Sequence, residues 1–159
     1  MKTLRIKWQR LVDEQGQTCD RCGATEGAVE DAVRKLKSSL LPLEIDVLLE
    51  KETLSQAAFS RDPLESNRIW ISEKSIEEWL SAASGKSQCC SVCGDTDCRT
   101  LTVDGKTYEA IPAELIIKAG LLAASQLLEA SEPGTCCQPA KSPGSGAECC
   151  PPLVQLPKS

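Results

Sequence analysis

The sequence predicts an α/β fold over residues 1–130, a mixed β-sheet flanked by helices, followed by a flexible tail over 131–159. Three observations lead there. Near the N-terminus, a period-2 apolar run, a helix-period run and a second period-2 run follow one another with short joins. Strand, helix and strand in that order imply a right-handed parallel βαβ unit. Further on, Asp104-Gly105 separates two alternating runs, a strong hairpin signal. From Ser131 the composition changes: Pro133, Pro139, Pro143, Pro151, Pro152 and Pro157 fall there with Gly134, Gly144 and Gly146. Such a segment cannot bury enough apolar surface to offset its ordering entropy.

The elements follow in order. Leu4, Ile6, Trp8 and Leu11-Val12 make a first strand with Trp8 in the core, and Asp13 to Gln17 a polar turn around Gly16. Thr25 with Glu26 starts the first helix, which places Cys19 and Cys22 in the loop just before it. Val29, Ala32, Val33, Leu36 and Leu40 form its buried stripe, and Pro42 ends it. Leu43, Ile45, Val47 and Leu49 alternate as a second strand. Thr53 to Arg61 is a short helix, Asp62-Pro63 a turn, and Arg68 to Ile71 a third strand. Ile76, Trp79, Leu80 and Ala83 recur at helical spacing after Ser75, which predicts a second long helix with Glu77 and Glu78 on its solvated face. Ser84 to Cys98 reads as a loop, cysteine-rich over 86–98, and Arg99 to Val103 and Thr107 to Ile111 as the hairpin arms. Pro112 opens a last helix at the first helical position, with Leu115, Ile116, Ala119, Leu122, Ala123 and Leu127 inward and Lys118 on the surface.

Composition narrows the function. A net charge of -5 provides no basic patch for nucleic acid. No run approaches the ~18 apolar residues of a membrane span, and the charged start, Met1 to Lys7, is not a secretory signal. The expected location is therefore cytoplasmic. Ten cysteines in a reducing compartment point to metal binding or catalysis rather than to disulfide staples. There is no histidine. This removes histidine general-base chemistry, Cys-His proteolysis and mixed His/Cys zinc sites. A metal site rich in protein ligands would be thiolate, and thiolates select soft ions: zinc, Cu(I), iron–sulfur clusters and, by the same softness, As(III) or Hg(II).

Three groups of cysteines carry this chemistry. Cys19-Asp20-Arg21-Cys22 stands between a strand and a helix, which reads as a thioredoxin-like redox motif. A helix N-terminus favours the thiolate there, and Arg21 adds positive charge. The same spacing also makes a metal-holding knuckle, and inert structural cysteines are a third reading. Cys89, Cys90, Cys93 and Cys98 put four thiols within ten residues, with Gly94 freeing the turn. The 66 residues between Cys22 and Cys89 exceed the ~15–20 of a zinc ribbon, so a shared site requires the fold to join the two loops. The local spacing matches neither common ferredoxin pattern. Finally, Cys136-Cys137 and Cys149-Cys150 lie in the tail. Adjacent Cα atoms are ~3.8 Å apart, whereas a relaxed disulfide wants roughly 4.4–6.8 Å. Neighbouring thiols therefore share a soft ion more readily than they bond to each other.

Two resemblances follow from these residues. Over about 1–130 the chain resembles an uncharacterised prokaryotic family, domain of unknown function 2703. The resemblance is carried by Cys19-x-x-Cys22-Gly23, Ile69-Trp70-Ile71 before Ile76-Glu77-Glu78-Trp79-Leu80, Cys89-Cys90-x-x-Cys93, and Val103-Asp104-Gly105 to Ile111-Pro112. It implies a thioredoxin-like fold. Cys89-Cys90-Ser91-Val92-Cys93-Gly94 is similar to the vicinal-cysteine loop of arsenical metallochaperones of the ArsD type, which share that fold and carry further vicinal pairs in a C-terminal tail. By motif, their metalloid ligands correspond to Cys89, Cys90 and Cys93. In that family the loop lies near the N-terminus, with a longer spacing to the third cysteine. A thioredoxin would also place a proline just before the third strand, where this chain has Ser66-Asn67.

The leading functional reading is a cytosolic protein that binds or traffics a soft metal or metalloid of the arsenic type. Its main site is Cys89, Cys90 and Cys93, with Cys98 beside it, and Cys136, Cys137, Cys149 and Cys150 capture or hand over the ion from a mobile arm. The rival is a thiol–disulfide oxidoreductase in which Cys19 attacks and Cys22 resolves. A third is an interaction domain stabilised by zinc on Cys19, Cys22 and loop cysteines. No organic cofactor is expected. The expected partners are the ion and a thiol redox partner or a metal-efflux protein, with neither nucleic acid nor membrane.

Overall fold

The computed structural model describes residues 1–89 and 93–130. The expected tail with Cys136, Cys137, Cys149 and Cys150 lies outside the described residues, as does Cys90. Within them the α/β reading holds. Strands β1 (Lys2–Leu11), β2 (Ile45–Leu54), β3 (Arg68–Ile71) and β4 (Lys74–Ser75) form one sheet in the order β2-β1-β3-β4. β1 and β2 run parallel from Lys2↔Ile45 to Leu11↔Leu54, and β3 is antiparallel to β1. Strands β5 (Ala83–Gln88), β6 (Asp97–Val103) and β7 (Lys106–Tyr108) form a second, antiparallel sheet. The helices are α1 (Asp20–Leu40), α2 (Gln56–Arg61), α3 (Ile76–Leu80) and α4 (Ala113–Glu129). Among the described residues no helix is long and apolar enough to cross a membrane.

Period-2 alternation puts Leu4, Ile6 and Trp8 of β1 on one face, and all three are fully buried. The α1 stripe, Val29, Ala32, Val33, Leu36 and Leu40, is buried as expected. The same core takes in Ile69 and Ile71 of β3, and Cys98, Leu101 and Val103 of β6 join it from the second sheet. The α1–α4 crossing is close because Gly120 has no side chain. A Cβ there would lie 2.6 Å from Leu36 Cδ1 and 3.2 Å from its Cδ2. Leu36 is fully buried and has little room to yield. Gly120→Val is therefore expected to lower stability by about 1–3 kcal/mol through overpacking, read as a fall in the urea midpoint. An unchanged midpoint would show that the crossing tolerates a side chain.

The hairpin turn forms at Asp104 (φ 51) and Gly105 (φ 78), two successive positive angles as a type I′ turn requires. Other expectations need correction. Helix α1 starts at Asp20, so Thr25 is not its cap. Thr25 is fully buried within the helix; its hydroxyl donates to the Arg21 carbonyl and accepts from the Ile111 N–H at 3.1 Å. A cap-type residue has been used for a tertiary contact. The second long helix is only Ile76–Leu80. Ser81 takes φ 51, the Ala82 N–H bonds the Glu77 carbonyl, and the chain turns into β5 where a loop was expected. β5 has no apolar alternation; its pairing with β6 makes it a strand, and Gly85 allows the approach, since a Cβ would meet Thr100 Oγ1 at 2.8 Å. In α4, Pro112 is the N-cap rather than the first helical residue, and Leu122 is exposed while Gly120 and Ala124 turn inward.

Glu77 and Glu78 do not share a solvated face. The Glu77 side chain is 12% exposed and paired with Arg99. Glu78 closes a capping box with Ser75, accepting from its N–H at 2.7 Å and its hydroxyl at 2.9 Å. Those bonds hold the Glu78 carboxyl below the ordinary carboxylate range. Its folded pKa is depressed, so its contribution is complete above the ordinary value and fades as pH falls through the lower folded one. Ser75→Ala is expected to cost about 1 kcal/mol at neutral pH, with a smaller difference from the parent in acid. A cost that does not shrink in acid would contradict this account.

Candidate metal centre

The site is built where two turns meet. β1 ends at Leu11, the Asp13 carboxylate accepts the N–H groups of Gln15 and Gln17, and the Thr18 hydroxyl donates to the Leu11 carbonyl. That turn delivers Cys19 as the N-cap of α1, with extended backbone at φ -72 and ψ 164. Cys19 sits at the positive end of a 21-residue helix, which favours negative charge on its sulfur. Cys22 falls in the first turn, 1% exposed, its Sγ 3.8 Å from Ser66 Oγ. Beneath lies a polar floor. Ser66 accepts from the Leu11 N–H, and Asn67, at φ 57, accepts from Trp8 Nε1 and donates to the Glu109 carbonyl.

The second turn follows β5. Arg21, between the two cysteines in sequence, clasps it: one Nη donates to Ser87 Oγ at 3.1 Å and to the Gln88 carbonyl at 3.0 Å. The same nitrogen is 2.9 Å from Glu109 Oε1, and the Ser87 hydroxyl donates to that oxygen too. Arg21 therefore spends its charge on holding the end of β5 against the first turn of α1. Cys89, the next residue, lands beside Cys19 with the two Sγ atoms 3.7 Å apart. Cys93 completes the group: the sulfurs of Cys19, Cys89 and Cys93 all lie within 4.8 Å of one another. Two sulfurs bonded to one tetrahedral zinc at ~2.3 Å stand about 3.8 Å apart. These three thiols are thus placed to hold a single soft ion.

Mutual contact and burial both raise the thiols gathered here. Contact with Cys19, and then burial, push the Cys22 thiol up. Burial, and then contacts with Cys98 and Cys89, push Cys93 up. Burial alone is the main cause at Cys98, which is pushed up to about 12. Cys98, fully buried on β6, lies near enough for Cys93 and Cys89 to act on its thiol.

The sequence separated a Cys19/Cys22 pair from a Cys89–Cys98 cluster. The fold joins them through Cys19, a residue first read as a redox nucleophile. Cys89 and Cys93 lie in the joint group, and Cys22 is turned toward Ser66. The signal that could have located Arg21's role was weak: one arginine inside the motif and one unattached acid, Glu109, after the hairpin.

The family described as a domain of unknown function (DUF2703) matches residues 4–120. The chain belongs to that family. The DUF2703 segment contains Cys19, Cys22, Cys89, Cys90, Cys93 and Cys98, and ends before the tail pairs. A relative from Archaeoglobus fulgidus, described as an uncharacterized protein, is 42% identical over 113 residues, covering 71% of this chain and 82% of the relative. No solved structure matches the chain significantly.

Proposed function

We propose that this DUF2703 protein binds and traffics a soft metal or metalloid ion of the arsenic type in a reducing, cytoplasmic setting, through the thiolates of Cys19, Cys89 and Cys93. The observation that carries the reading is the mutual approach of these three sulfurs from two distant stretches of chain. Soft thiolates without imidazole or carboxylate select a thiophilic ion. Cys19 joins Cys89 and Cys93 of the set expected by motif, whose third member, Cys90, lies outside the described residues. Three sulfurs suit a three-coordinate As(III), and Cys98 is at hand as a fourth ligand for zinc. The likeness of Cys89-Cys90-Ser91-Val92-Cys93 to arsenical metallochaperones favours the metalloid, with a metal-efflux protein as acceptor.

Native mass spectrometry of the reduced full chain with added arsenite tests this. One bound arsenic with loss of three thiol hydrogens is expected. No adduct, or one that survives Cys19→Ser unchanged, would sink it. Arg21→Ala, which removes no ligand, is expected to weaken arsenite binding about tenfold by loosening Cys89, measured by competition with a free dithiol. Equal affinity would mean that the clasp does not set the site.

One observation favours a second reading, a thiol–disulfide oxidoreductase of thioredoxin-like type. The strand order β2-β1-β3-β4, with Cys19 capping the helix that leaves the central strand, supports it. The polar Ser66-Asn67 floor in place of a proline makes it the lesser of the two.

A further inference from the structure

We infer that Cys19 and Cys89 form the first disulfide when the protein is oxidised, so that the thiolate group is also a redox-closed site. The two sulfurs are already in contact at 3.7 Å, across 70 residues of sequence. A disulfide bond is ~2.05 Å long, so closure needs an approach of about 1.7 Å. Access decides the order. Cys89 is half-buried, whereas Cys19, Cys22 and Cys93 are 3%, 1% and 3% exposed. Among the described cysteines a small oxidant reaches Cys89 first, and Cys19 is the sulfur already seen in contact with it, at 3.7 Å. Cys22, by contrast, is buried and its sulfur is engaged with Ser66 Oγ at 3.8 Å.

The chemistry balances with a small disulfide as oxidant. The Cys89 thiolate attacks one sulfur of oxidised glutathione; that S–S bond breaks and one glutathione thiolate leaves and takes up a proton. The Cys19 thiolate then attacks the Cys89 sulfur and expels the second glutathione. The protein loses two hydrogens, and one disulfide becomes two thiols. Joining Cys19 to Cys89 removes two of the three proposed ligands. That consequence rests on the ion-binding reading; the disulfide does not.

The test is a time course of the reduced full chain in oxidised glutathione, quenched by alkylation and mapped by peptide mass spectrometry. A Cys19–Cys89 link appearing before any other is expected, unchanged in Cys22→Ala. Cys89→Ser should slow the oxidation of Cys19 about tenfold. A first disulfide that joins Cys19 to Cys22, or that leaves out Cys19 or Cys89, overturns the inference, as does an unaltered Cys19 rate in Cys89→Ser. Prior loading with arsenite should block the link. If the link forms but arsenite never binds, the inference stands and the ion reading falls; arsenite binding without the link gives the reverse.

Discussion

Cys19→Ser is expected to lower the affinity of the reduced protein for arsenite by about 100-fold or more. Changes to groups that merely support a metal ligand cost 10–100-fold, and Cys19 is placed as a ligand. The substitution separates two ligand sets. If the local motif alone made the site, from Cys89, Cys90 and Cys93, Cys19 would be a bystander and the affinity would hold. With Cys19, Cys89 and Cys93 as the set, the serine leaves two of its three sulfurs, and the affinity falls toward that of a small dithiol. Serine is close in size and Cys19 makes no side-chain cap bond to α1, so the helix should persist. Competition titration with a dithiol, beside a circular dichroism check of the helix, measures both. A loss under threefold would return the site to the loop cysteines.

Arg99→Met is expected to destabilise the protein by about 3–5 kcal/mol, the range for breaking a buried ion pair from one side. The side chains of Arg99 and Glu77 are 8% and 12% exposed. Arg99 also donates Nε to the Leu64 carbonyl at 2.6 Å, and Glu77 Oε2 is buried without a hydrogen-bond partner among the described residues. Removing the guanidinium leaves the Glu77 carboxylate, 12% exposed, without its ion pair and the part-buried Leu64 carbonyl without its donor. The double substitution Glu77→Leu, Arg99→Met should recover most of the loss, because apolar pairs of similar volume commonly replace buried ion pairs without penalty. Urea unfolding of the reduced protein reads both values. A single-variant cost under 1 kcal/mol would mean that water reaches the pair as it does at a surface. The pair also bears on the site, since it fastens β6, which carries Cys98, to α3.

Much of this architecture is written in local pattern. β1, β2, β3 and the hairpin follow from alternation and Asp-Gly, and the buried stripe of α1 from its 3.6-residue period. These signals are legible because each element meets the core with one face. Where an element owes its state to a partner, the pattern fails. β5, Ala-Ser-Gly-Lys-Ser-Gln, has no apolar face and exists through its ladder with β6. Thr25 looks like a cap because its hydroxyl is suited to one, yet that hydroxyl serves Ile111. Leu122 fits a helical stripe, but the close crossing at Gly120 rotates the small residues inward.

The same division runs through the site. Composition sets the chemistry: ten cysteines without histidine restrict a soft-metal centre to thiolate ligands, and Cys19 is marked by its place between a strand and a helix. Which sulfurs lie together is a matter of packing. Cys89 is 70 residues from Cys19, and nothing local records that distance closing. Where it closes, Arg21 reaches from the first turn of α1 to Ser87, the Gln88 carbonyl and Glu109, and fastens the end of β5 to the helix N-terminus. Residue chemistry is a property of each side chain, while a site is a set of distances, and those are set by packing and long-range hydrogen bonds.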